Sequence, residues 1–77
     1  MEYQVLFFTH TGAIKFSREM KTNNIECILM PVPRSMSSNC SVSAKIIYDG
    51  KIEDLINQDV EKVFSLESEP ARLIYED

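Results

Sequence analysis

The sequence is poor in the residues that most often carry chemistry. Across 77 residues there are one histidine, two cysteines and two glycines. Two cysteines are too few for a disulfide framework, and they do not form a CxxC pair. With one histidine and no repeated Cys/His spacing, no metal site is expected, and no cofactor is implied. No basic excess exists: eight Lys and Arg stand against twelve Asp and Glu, a net charge of −4 with no basic run. Nucleic-acid binders draw affinity from phosphate contacts, so that class is excluded as a partner. No apolar run approaches the length of a membrane span, and Met1-Glu2-Tyr3-Gln4 lacks the charged start of a signal peptide. A soluble, cytoplasmic chain with reduced thiols is expected.

What is present is a small globular domain. The length permits one domain over residues 1–77, and a domain of this size buries only about 60% of its unfolded surface. A hydrophobic fraction of 44% separates it from disordered chains, which are apolar-poor and highly charged.

Patterning sets the expected elements. Tyr3 to Phe8 is short and rich in aromatic and β-branched residues, which reads as a buried strand. Either Thr9 or Thr11 can cap a helix in which Ala13, Phe16, Ser17 and Met20 recur at helical spacing. Asn23 and Asn24 end it, since Asn tolerates the left-handed conformation. Ile25 to Met30 is the second strand, stopped by Pro31 and Pro33. The polar, serine-rich Arg34 to Ser41 is a loop, and Val42 to Tyr48 a third strand. After the Asp49-Gly50 turn, Ile52, Leu55, Ile56, Val60 and Val63 predict a second amphipathic helix, with Glu53, Asp54, Asp59 and Glu61 on its wet face. Ala71 to Tyr75 predicts a final short strand. The order β-α-β-β-α-β predicts an α+β, ferredoxin-like sandwich: a four-stranded antiparallel sheet with two helices on one face.

The segment that needs explaining runs from Met30 to Cys40. It is too long and too stiff at its start for a simple hairpin turn. Two prolines restrict its backbone, which limits the positions open to Arg34. Ser35, Ser37, Ser38 and Asn39 add hydroxyls, an amide and backbone N–H groups, and Cys40 closes the segment. A free cysteine has a pKa near 8.5 and is only about 3% thiolate at neutral pH. An arginine and several N–H donors favour the charged form, and a pKa of about 7 would make roughly half of it thiolate. The competing reading makes Cys40 a small buried hydrophobe. Cys27 lies in a strand beside Ile25 and Leu29 and reads as structural; its alternative is a resolving thiol for Cys40, which needs the two Cα atoms within about 7 Å. His10 reads as a surface residue at the start of the first helix. Arg34, Ser37 and Ser38 form a candidate anion-binding set. A hydrolase triad is not expected: the one histidine is far from Cys40 in sequence, and nothing forms a third member.

At this loop the chain resembles the selenium/sulfur carrier-like family, small domains of this length. The family begins with a strand and a Ser/Thr-capped helix, here Val5-Leu6-Phe7-Phe8-Thr9-His10-Thr11-Gly12-Ala13. Its most specific feature is Pro-x-Pro-Arg followed by Ser-Ser-x-Cys. Here these are Pro31-Val32-Pro33-Arg34 and Ser37-Ser38-Asn39-Cys40. Ser41 departs from the family's usual glycine, and a side chain there restricts backbone approach around Cys40. The resemblance implies that Cys40 carries sulfur or selenium as a persulfide or selenosulfide, with Arg34, Ser37 and Ser38 stabilising the anionic cargo. It also implies donor and acceptor proteins, the donor for example a cysteine desulfurase. A carrier or a binding protein is expected rather than a turnover enzyme. The alternative is a non-catalytic module whose Pro-Arg-Ser-Ser loop binds an anionic ligand or protein partner, with Cys40 packed inside and a concave site around Arg34, Ser37 and Ser38.

Overall fold

A computed structural model describes residues 1–77. The central strand is β1, Glu2–Phe7, with every residue after Glu2 buried. Helix α1, His10–Thr22, follows at once. Thr9 caps it: its extended backbone leaves the strand, and its hydroxyl accepts the Gly12 N–H at 3.0 Å. At the far end Asn24 takes a φ of 58°, the left-handed geometry that Asn tolerates. Strands β2, Glu26–Pro31, and β3, Val42–Ile47, form a hairpin with a long connecting loop. A single 3-10 turn at Ile52–Leu55 leads to β4, Val60–Ser65, and the chain ends in β5, Arg72–Glu76.

The result is an α+β domain with one helix on a five-stranded sheet in the order β2-β3-β1-β4-β5, with antiparallel neighbours throughout. Alternation along the strands sends Tyr3, Val5 and Phe7 toward α1, where they meet Ala13, Phe16 and Met20 from the helix. Ala44 and Ile46 of β3 and Val60 and Val63 of β4 complete this core.

The expected four strands and two helices are therefore corrected to five strands and one helix. The second helix, predicted from Ile52 to Val63, is replaced by the 3-10 turn and β4. Two local causes are visible. The Asn57 side chain accepts the Asp59 N–H at 2.8 Å, and the Asn57 carbonyl accepts the Val60 N–H at 3.1 Å, a turn that competes with helix. The apparent helical spacing of Val60 and Val63 has a different origin, a β-bulge. Val63 pairs with Val5, Lys62 with Leu6, and Val60 with Phe7, so Glu61 is an extra residue. The bulge puts two valines three residues apart on one face of a strand, as a helix would.

The face away from α1 is not bare at the end where β1 leaves the sheet. Leu6 and Ser43 are fully buried there and Gln4 is nearly so, although all three point away from the helix. The loop from Val32 to Ser41 folds over them, closed at its base by the Val32 N–H donated to the Ser41 carbonyl at 3.1 Å. It brings Met36 and Cys40, both buried. The Gln4 amide donates to the Ser43 hydroxyl at 2.7 Å, and that hydroxyl also lies within reach of the Met30 and Pro31 carbonyls, so the polar groups beneath the loop are satisfied.

Candidate functional site

Pro33 starts the loop with a tight turn, its carbonyl accepting the Met36 N–H at 2.9 Å. Arg34 and Ser35 are the exposed corner of that turn. The chain then runs along β4. The Lys62 ammonium donates to the Ser37 carbonyl at 3.0 Å and reaches its hydroxyl at 3.4 Å. The Ser38 hydroxyl lies 2.6 Å from the Glu61 carboxylate and 3.0 Å from the Phe7 carbonyl. The Asn39 N–H donates to the same Glu61 oxygen at 3.3 Å.

Cys40 comes next, 9% exposed. Its N–H donates to the Ser38 hydroxyl at 3.2 Å, and its Sγ accepts the Val42 N–H at 3.4 Å. A backbone N–H is thus aimed at the sulfur. Cys40 is also outside the cluster beneath α1, so it is not one of the side chains that hold helix to sheet. Ser41 does not need to be glycine: its φ lies outside the positive range, in ordinary backbone.

The structure brings Cys40, Ser37 and Ser38 together, but with Glu61 and Lys62 rather than with Arg34. The Arg34 side chain makes no ion pair and is exposed at the turn. The hydroxyl of Ser38 is engaged internally, while that of the exposed Ser37 meets only the Lys62 ammonium. Cys27 pairs with Ile46 and packs against the α1 core, across the sheet from Cys40, and both thiols are free. This arrangement does not form the resolving pair. His10 is exposed, on the first turn of α1. No enclosed pocket is found around Arg34, Ser37 and Ser38.

Sequence reasoning missed Glu61 and Lys62 by placing them on a helix. The signal was present: Val60 to Ser65 combines β-branched and aromatic residues in a six-residue run, a strand composition.

Burial pushes the Cys27 thiol above its ordinary value of 9.0, and the hydrogen bond with Ser17 pulls it partly back. A thiol that is harder to ionise in the folded chain stabilises it below the ordinary value, and that contribution is lost as pH rises toward the raised one. Wild type is therefore expected to lose more stability than Cys27→Ala when the pH is raised above 9.0. Urea midpoints for the two proteins across that range check this. Parallel curves would contradict it.

These features define a class: a small α+β domain that presents one amide-contacted cysteine on a loop clamped to its sheet. The chain belongs to the family described as "Putative Se/S carrier protein-like", whose model matches residues 2–65. The match takes in the whole Cys40 loop and ends on the last residue of β4, leaving β5 outside it. No curated protein and no solved structure matches the chain.

Proposed function

We propose that this protein carries sulfur or selenium on Cys40, as a persulfide or selenosulfide, and passes it to an acceptor protein. The observation that carries the reading is the Val42 N–H directed at Cys40 Sγ, on a thiol that the α1 core does not use. The family's description suggests the cargo.

In the loading step the Cys40 thiolate attacks the terminal sulfur of a donor persulfide. A bond forms between Sγ and that sulfur, the donor's S–S bond breaks, and its electron pair leaves with the donor thiolate. Charge and oxidation level balance, so no external oxidant is needed. Release is the same exchange, run toward an acceptor thiolate. The Val42 N–H faces the attacking sulfur. Arg34, exposed and without an ion pair, meets the anionic donor or acceptor at the loop's outer corner. Ser37 and Ser38 shape the loop rather than grip the cargo. A cytoplasmic setting, where thiols stay reduced, suits this chemistry.

Incubation with a persulfide donor followed by peptide mass spectrometry tests the proposal. The Cys40 peptide is expected to gain one sulfur atom that dithiothreitol removes, and Cys40→Ser to gain none there. No adduct at Cys40 in the wild type would end the reading.

A further inference from the structure

At 9% exposure, Cys40 leaves little surface for a second sulfur atom to reach while the loop stays closed. Some contact must therefore yield when the thiol reacts, and the geometry shows which. Three consecutive loop residues, Ser37, Ser38 and Asn39, are held by two consecutive residues of β4. In a regular strand, neighbours point to opposite faces, and Glu61 and Lys62 could not share a target. The bulge removes that restriction. Glu61 is the extra residue, without a partner on β1, and its carboxylate reaches the loop that Lys62 also faces. Lys62 is itself steadied by Glu76 of β5 at 3.9 Å and has a side chain only 17% exposed. From the Glu61 carboxylate the contacts run to the Ser38 hydroxyl, and from that hydroxyl to the N–H of Cys40.

We infer that Glu61 is the positioning residue for Cys40, and that Glu61 and Lys62 form a latch holding the loop closed and setting how fast the thiol can be reached. The inference rests on reading Cys40 as the reacting thiol. Glu61 contributes through its charged hydrogen bonds, which hold the loop down. They favour the closed state, so releasing the latch speeds reaction.

The test is the rate of Cys40 alkylation by iodoacetamide in the folded full chain, followed peptide by peptide, with Cys27 on the other side of the sheet as internal reference. Glu61→Leu removes the acceptor of both the Ser38 hydroxyl and the Asn39 N–H and is expected to raise the Cys40 rate by at least about tenfold, the effect of losing a single charged hydrogen bond. Glu61→Gln keeps a carbonyl for the Ser38 hydroxyl and the Asn39 N–H, and is expected to stay within about threefold of wild type. Lys62→Met, which breaks the other half, is expected to raise the rate as well. Cys27 should hold its wild-type rate in all three. An unchanged Cys40 rate in both Glu61→Leu and Lys62→Met overturns the latch. So does an equal rise at Cys27 in both, or a Glu61→Gln rate equal to that of Glu61→Leu. Iodoacetamide needs no sulfur donor, so this result is independent of persulfide loading: the latch can stand while carriage fails, and the reverse.

Discussion

Replacing Phe16 by alanine is expected to lower the unfolding free energy by about 3–5 kcal/mol. A domain of this length has roughly 4–12 kcal/mol in total, so much of the stability would go. The reason is the thinness of the core. One helix covers one face, and its largest inward side chain is Phe16, 2% exposed. Its ring lies 5.1 Å from that of the fully buried Phe7 at an interplanar angle of 59°, a tilted arrangement that favours aromatic pairs beyond simple area burial. With only a 13-residue helix above the sheet, nothing else can move in to fill the space. Urea unfolding checks the expectation: the midpoint should fall with the slope unchanged. A loss below about 1 kcal/mol would mean that the helix is not the main cover of the sheet. The change should also reach the loop, because the Phe7 carbonyl is one of the acceptors facing Ser38.

Gly12 is expected to refuse a side chain, against the usual helix preference. Alanine ordinarily stabilises a helix interior over glycine by about 1 kcal/mol. Here a Cβ would lie 2.8 Å from Asp59 Cβ and 3.2 Å from both Asp59 Cγ and Thr9 Oγ1. Asp59 Cβ is the root of its side chain and cannot swing aside. The backbone is fixed as well, since the Asp59 carbonyl accepts the Phe8 N–H at 3.1 Å. Gly12→Ala should therefore destabilise the chain, and Gly12→Val should cost about 3 kcal/mol, the upper end for forcing atoms into a packed contact. A thermal or urea comparison decides the sign, and a more stable Gly12→Ala protein would refute the argument. Gly12 is also where the first turn of α1 meets the approach to β4, two residues before Glu61. Displacing Asp59 is thus expected to loosen the Glu61 contacts and quicken Cys40 alkylation.

The first two-thirds of the fold was legible because each element carries its own local signal. Thr9 and Asn24 bracket α1 with cap chemistry, the aromatic and β-branched run marks β1, and the two prolines end β2. Between residues 52 and 65 local signals disagreed. The Ile52, Leu55, Ile56, Val60, Val63 series satisfies helical periodicity, yet residues 60 to 65 have strand composition. Composition prevailed because β1 has two edges and β3 pairs with only one; β4 satisfies the backbone groups on the other. A bulge cannot be read from spacing alone, since it depends on which partner residues line up across the ladder.

By itself the sequence determined that this is one small α+β domain with a central aromatic strand, a capped amphipathic helix, and a proline-stiffened loop ending in a cysteine. Those properties rest on neighbours in the chain: propensity, capping and the fixed φ of proline. Only the tertiary structure decided that the loop folds over the face opposite the helix, that Arg34 stays at its outer corner, and that Glu61 and Lys62 hold it. These contacts join residues more than twenty positions apart, and their geometry exists only once the ladder between β1 and β4 has set its register.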